Sequence, residues 1–215
     1  PLARGLNITL PLKNLAARIV GNISEEAKHL KAVNTITKID GALSLDSTDG
    51  VGFMEDLRSK KIDIIGKNIL ILGAGAAVQS ILYKLVTGNP NTISILNRSQ
   101  EKAETLVKKY VEYTSLGSCL KEDIHYDLII NGTSAGLTGE FIAPEGINLS
   151  NSTCFYDLNY SLESTPFCSW AKEHSSQVFD GIGMLVYQAA QSFELWFGEA
   201  PSTEYIFQDI QNLNK

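Results

Sequence analysis

Lys13 and Asp49 are the residues of this chain best suited to move a proton. Lys13 closes the run Gly5-Leu6-Asn7-Ile8-Thr9-Leu10-Pro11-Leu12-Lys13, and Asp49 stands in Asp46-Ser47-Thr48-Asp49-Gly50. Each lies just outside an apolar run, beside turn-forming residues. A positioned ammonium can protonate a forming alkoxide, and the neutral amine can take the proton back. A neighbouring carboxylate favours the charged form of a lysine, which suits a proton donor. Downstream, Ile69-Leu70-Ile71-Leu72 runs into Gly73-Ala74-Gly75-Ala76-Ala77-Val78. An apolar strand, a glycine loop and a helix in that order are the context of a dinucleotide site. The two features together point to hydride transfer between a nicotinamide cofactor and a carbonyl.

The loop supplies the parts of such a site. Gly73 permits the tight turn, Gly75 lets backbone approach a pyrophosphate, and the helix start offers amide donors and a positive dipole. The third fingerprint position is Val78, not Gly or Ala, which predicts slightly wider helix–strand packing. Taken alone this loop is also compatible with a plain glycine turn. The end of the next strand, Ile93 to Leu96, carries Asn97-Arg98-Ser99. An NAD site normally has an acid there for the ribose hydroxyls; here a guanidinium stands where a 2′-phosphate would lie. Arg98 therefore favours NADP, with a solvated loop arginine as the plain alternative. A further strand, Asp127 to Ile130, ends in Asn131-Gly132-Thr133-Ser134-Ala135-Gly136.

The elements that must hold these residues fall into two regions. In the first, Leu6 to Leu10 reads as a strand stopped by Pro11, and Leu12 to Val20 as a helix with apolar residues at helical spacing. Ser24 is a candidate N-cap for a helix over Glu25 to Leu30. Asp40-Gly41 between Val33–Ile39 and Ala42–Leu45 predicts a hairpin. A helix from about Gly52 to Arg58 leads to Ser59, Lys60 and Lys61, a candidate hinge. From Asn68 onward, strands at 69–72, 92–96, 127–130 and 153–156 alternate with helices at 78–86 and 100–113. That pattern implies a parallel sheet covered on both faces. Helices over 184–197 and 203–213 close the chain. The expected fold is α/β: a Rossmann-like doubly wound NADP-binding domain over 62–180, and an α/β substrate-binding domain over 1–61 completed by 181–215.

The bulk properties exclude several classes. The chain has 215 residues, 44% of them hydrophobic, and a formal net charge of −6, which suits a globular protein of one large or two small domains. No basic run suggests a nucleic-acid partner, and the apolar runs are too short for a membrane span. Cys119, Cys154 and Cys168 are scattered without CxxC spacing, so free thiols and a reducing cytoplasm are expected. His29, His125 and His174 show no metal-ligand spacing, and no metal is expected.

These motifs resemble those of the shikimate dehydrogenase family, over the stretch from Gly5 to about Gly198. The resemblance implies reversible NADPH-dependent reduction of 3-dehydroshikimate to shikimate, a step toward aromatic amino acids. It maps the family's catalytic lysine and aspartate onto Lys13 and Asp49. Thr9, Asn34, Tyr160 and Gln188 fall, with Lys13 and Asp49, on substrate-binding positions. Asn97-Arg98-Ser99 resembles the family's Asn-Arg-Thr, and Asn131-Gly132-Thr133-Ser134 its Asn-Ala-Thr-Ser. The implied cofactor set is Glu25, Gly73, Ala74, Gly75, Ala76, Ala77, Asn97, Arg98, Ser99, Lys102, Thr133, Ser134, Leu158, Gly181 and Met184. The expected active site is the cleft between the domains, in a monomer or homodimer.

The family also opens with a strand–helix segment bearing Ser-x-Ser for the substrate carboxylate. No counterpart is present in this sequence, so a partial chain, with one wall of its pocket absent, is expected. Two rivals remain. A quinate/shikimate dehydrogenase using NAD would call for an acid after Leu96. A catalytically silent NADP-binding module would bind the cofactor without turnover.

Overall fold

The computed structural model describes residues 3–121, 123–134 and 141–213. The chain divides into two compact units, Pro1–Asp56 with Gly183–Lys215, and Leu57–Ile182.

In the first unit, β1 (Gly5–Asn7), β2 (Asn22–Ile23), β3 (Thr35–Ile39) and β4 (Ala42–Asp46) form a sheet in the order β1-β3-β4-β2. β3 pairs antiparallel with β1 and β4, and β2 runs parallel to β4. The Asp40-Gly41 hairpin is formed as expected, with φ of 49° and 85° at its two central residues, the positive values such a turn requires. α1 (Lys13–Ala16) and α2 (Glu25–Leu30) precede β3. Ser24 caps α2, its hydroxyl accepting from the Ala27 amide at 3.3 Å. Ala16, Ala27, Val33, Ile36 and Leu45 form the buried core of this sheet and its helices. α3 (Asp49–Ser59) follows β4, while α7 (Ile182–Phe197) and α8 (Glu204–Leu213) come from the end of the chain.

Several expected elements differ in extent. The strand expected over Leu6 to Leu10 ends at Asn7, because a turn closed by the Leu12 amide on Thr9 O takes the chain away. The helix expected over Leu12 to Val20 covers only Lys13 to Ala16. Leu12, Leu15 and Ile19 are exposed, so no burial supports a further turn, and the chain continues through tighter bonds such as Arg18 N to Leu15 O. α3 begins at Asp49, three residues earlier than expected, which puts that carboxylate in a first turn, where the helix dipole favours it.

The second unit carries six parallel strands: β5 (Asn68–Leu72), β6 (Thr92–Leu96), β7 (Ser115–Gly117), β8 (Leu128–Asn131), β9 (Cys154–Asp157) and β10 (Val178–Phe179). Their order is β10-β9-β8-β5-β6-β7. Renumbered within the unit this is the 3-2-1-4-5-6 order of dinucleotide-binding sheets, with its switch point between β5 and β8. α4 (Ala76–Thr87), α5 (Gln100–Tyr110) and α6 (Pro166–Ala171) are its helices. The buried strands β5, β8 and β9 pack Leu70, Leu72, Ile129 and Phe155 against Tyr126 and Phe167. The sequence reading carried α5 on to Tyr113 and omitted β2, β7, β10 and α6. The three strands have two or three residues each and are held by their neighbours' ladders, not by an apolar pattern of their own.

Candidate functional site

The first unit brings Lys13, Asn34, Asp49 and Gln188 together. Lys13 opens α1, and its Nζ lies 2.6 Å from Asp49 Oδ2, with side-chain exposures of 20% and 8%. Asn34 Nδ2 donates to Asp49 Oδ1 at 2.9 Å and to Gln188 Oε1 at 3.2 Å. Each oxygen of the carboxylate thus has its own partner, a cation on one side and an amide on the other. The Asn34 amide is itself oriented: its Oδ1 accepts from the Thr48 amide at 2.8 Å. Gln188 sits where α7 crosses α3, and a side chain on Gly52 would collide with the Gln188 backbone. The arrangement is a half-buried ammonium aimed by a fixed carboxylate, which can donate a proton to an oxygen placed beside it. Thr9 lies exposed in the turn after β1, apart from these contacts. Met184 lies on the first turn of α7.

The second unit forms a cavity of about 340 Å³ lined by Gly73, Ala74, Gly75, Asn97, Arg98, Lys102, Gly132, Thr133 and Ser134. Gly73 adopts φ 106°, as the turn out of β5 demands. Gly75 is the N-cap of α4 and has no side chain to occupy the first amides, which leaves them open to an anion. Asn97 Oδ1 accepts from the Ala74 amide at 3.1 Å, so this residue braces the glycine loop from β6. Arg98 is exposed, and no acid pairs with it among the described residues. An unpaired guanidinium beside open helix amides suits the phosphates of NADP.

Eight expected cofactor residues line this cavity, and the others stand elsewhere. Ala76 and Ala77 begin α4, and Ser99 is the N-cap of α5; none of the three lines the cavity. Glu25 belongs to the first unit, where it is exposed and paired with Lys28 at 2.8 Å, and that ammonium lowers its pKa. Leu158 and Tyr160 follow β9, with Tyr160 exposed, and the Gly181 amide donates to Asn159 O at 3.0 Å. Ala135 and Gly136, which end the quoted run after β8, lie outside the described residues.

Val78, the departure from the fingerprint, packs against Gly132. A methyl placed on Gly132 would collide with Val78 Cγ2, so the larger residue on α4 is matched by the smaller one after β8.

Sequence reasoning missed Asn7, Thr35, Thr48 and Ser192 in the first unit and Asp157 and Asn159 in the second. Asn159 Nδ2 donates to Thr133 O at 2.9 Å and to Asp157 Oδ1 at 2.9 Å, tying the loop after β9 to the cavity wall. Spacing gave one usable signal: Gln188 and Ser192 stand four apart on a largely apolar helix, so they share a face.

Three family models match the chain: a shikimate dehydrogenase substrate-binding domain over residues 1–36, shikimate/quinate 5-dehydrogenase over 56–140, and a shikimate 5′-dehydrogenase C-terminal domain over 181–206. A shikimate dehydrogenase (NADP⁺) of Colwellia psychrerythraea is 39% identical over 211 residues, 97% of this chain and 77% of the relative. The chain belongs to the shikimate dehydrogenase family. Solved members are superimposable on it. Shikimate 5-dehydrogenase of Listeria monocytogenes, in complex with shikimate and NAD, matches with a TM-score of 0.86 at 29% identity, covering 96% of this chain and 77% of that one. The Thermus thermophilus enzyme, in complex with NADP(H) and shikimate, matches at 0.84 and 29%, covering 97% and 78%. Among the described residues of this shikimate dehydrogenase family member, no helix is long and apolar enough to cross a membrane.

Proposed function

We propose that this chain catalyses the reversible NADPH-dependent reduction of 3-dehydroshikimate to shikimate. The observation that carries the reading is the Lys13–Asp49 pair at 2.6 Å, in the same unit as Asn34 and Gln188. The first unit is the substrate-binding and catalytic domain, and the second holds the cofactor.

NADPH, when bound, supplies the hydride. Gly73, Ala74 and Gly75 with the first amides of α4 would hold its pyrophosphate, and Arg98, with Lys102, its 2′-phosphate. Reduction leaves negative charge on the carbonyl oxygen. Lys13 donates a proton there and takes it back when the alcohol is oxidised. Asp49 aims the ammonium and keeps it charged for donation, while Asn34 keeps Asp49 from turning. Asn34, Gln188, Thr9 and Tyr160 read the substrate's hydroxyls, each such neutral hydrogen bond contributing about 0.5–1.5 kcal/mol. Leu158, Gly181 and Met184 are assigned to the nicotinamide.

The free thiols Cys119, Cys154 and Cys168 support a cytoplasmic setting, and the working form is a monomer or homodimer without a nucleic-acid partner. The test is NADPH formation on adding shikimate and NADP to the chain, with quinate and NAD in parallel. Turnover with shikimate and NADP supports the reading. Turnover only with NAD moves the chain to the NAD-using branch of the family. NADP binding without turnover identifies a silent module.

A further inference from the structure

The proton-transfer pair leaves unexplained the polar side chains packed behind it. Thr35, Thr48 and Ser192 are each 1% exposed or less. Their hydroxyls meet: Ser192 Oγ lies 2.7 Å from Thr35 Oγ1 and 3.2 Å from Thr48 Oγ1. Ser192 Oγ also accepts from Asn7 Nδ2 at 2.9 Å and donates to Gln188 O, one turn back on α7, at 3.0 Å. A serine hydroxyl has one proton and two lone pairs. Its proton is shared between Gln188 O and Thr35 Oγ1, so Thr35 keeps its own proton for Asn34, and both lone pairs serve side chains of other elements: Asn7 on β1 and Thr48, just before α3.

The two threonines then act on Asn34. Thr35 Oγ1 donates to Asn34 Oδ1 at 2.9 Å, and Thr48 Oγ1 accepts from Asn34 Nδ2 at 2.9 Å. The oriented amide reaches Asp49 Oδ1 and Gln188 Oε1. An unbroken series of contacts runs from Ser192 through Thr35 and Thr48 to the amide that touches both the proposed proton-transfer aspartate and the proposed substrate-binding glutamine. Buried networks of this kind fix one geometry when every member is satisfied and lose it when one is removed.

We infer that Ser192 is a positioning residue: without touching substrate, its hydroxyl fixes Thr35 and Thr48 and, through them, the side chains of Asn34 and Gln188. The inference rests on the proposed function only for what Gln188 and Asn34 bind. Ser192→Ala takes the acceptor from the Thr48 hydroxyl and one partner from Thr35, while Asn7 Nδ2 keeps Asn34 O and Thr35 Oγ1. The expected result is a rise in KM for shikimate of roughly 5–30-fold, the size of one buried polar group left unpaired. kcat falls less, because the Lys13–Asp49 contact is untouched, and KM for NADP is unchanged. Ser192→Cys, which keeps the volume with a weaker hydrogen-bonding group, falls between, and it carries the test if the alanine variant does not fold.

A merely structural role predicts a different result: lower thermal stability and a smaller active fraction, with KM for shikimate unmoved. That result overturns the inference. If the parent chain does not oxidise shikimate at all, the functional reading fails instead. The positioning claim is then decided by the side-chain amide signals of Asn34, assigned by their loss in Asn34→Ala. Broadened or faster-exchanging signals in Ser192→Ala support it; unchanged signals overturn it.

Discussion

In the first unit the carboxylate of Asp49 has a partner on each oxygen, whereas in the second the guanidinium of Arg98 has none among the described residues. The same contrast extends outward. Around Asp49, side chains of Asn7, Asn34, Thr35, Thr48, Gln188 and Ser192 satisfy one another. Around Arg98, the parts are backbone amides without a cap, small residues and exposed cations. The difference fits the two proposed tasks. A proton donor must already be aimed when substrate arrives, because positioning error enters the rate directly. A phosphate site gains most from donors that the ligand itself satisfies, since pre-paired cations would have to be separated first.

The sharpest way to break this contrast is to remove the aimed group. Lys13→Ala should lower turnover by about 10²–10⁴, the usual worth of acid–base catalysis, with little change in NADP affinity. Steady-state rates with shikimate, and NADP titration by fluorescence, separate the two. Near-normal turnover would remove Lys13 from the chemistry.

Arg98→Ala probes the other side. Loss of a charged hydrogen bond of about 1.5–3 kcal/mol should weaken NADP binding roughly 10–150-fold while leaving NAD binding nearly unchanged. Equal weakening of both cofactors would mean that Arg98 does not read the 2′-phosphate.

A third test concerns how the glycine loop is held. A methyl on Gly132 would collide with Val78, so Gly132→Ala should cost about 1–3 kcal/mol of stability through overpacking and also weaken NADP. Val78→Ala in the same chain should recover most of that loss. Urea unfolding of the two single variants and the double variant measures the coupling. Additive losses would show that the two positions do not share the space.

Legibility in the sequence followed the range of the forces. Asp40-Gly41 and Ser24 are readable because turn and cap chemistry is settled within four residues. Arg98 was readable because a strand end fixes where the next side chain goes. Thr165 followed by Pro166 carried the same local signal, cap and first-turn proline, for α6, yet it went unread. The cluster behind Asp49 could not be read that way. Asn7 and Ser192 are 185 positions apart, and only the packing of α7 on the first sheet joins them. Val78 shows the same limit, since its departure from the fingerprint makes sense only beside Gly132, a residue from another strand end.

The smallest expected effect lies in the second unit, at Asp157, a buried carboxylate that, like Asp49, is engaged on both oxygens. Asp157 is buried at the end of β9 and accepts from Asn131, Asn159 and Thr165 at 2.7–3.0 Å. Burial raises its pKa, and the hydrogen bonds from Thr165, Asn159 and Asn131 only partly offset that. A carboxyl whose folded value lies above its unfolded value of about 3.9 contributes stability below that unfolded value. The contribution is lost as pH rises through the folded value. Asp157→Asn has no such titration. The stability of the parent relative to Asp157→Asn should therefore decline from acid toward neutral pH, read from urea midpoints across that range. A difference that grows toward neutral pH would mean the hydrogen bonds outweigh burial. Asp157 would then be held as a charge, as an aimed carboxylate must be, and the contrast between the two units would narrow.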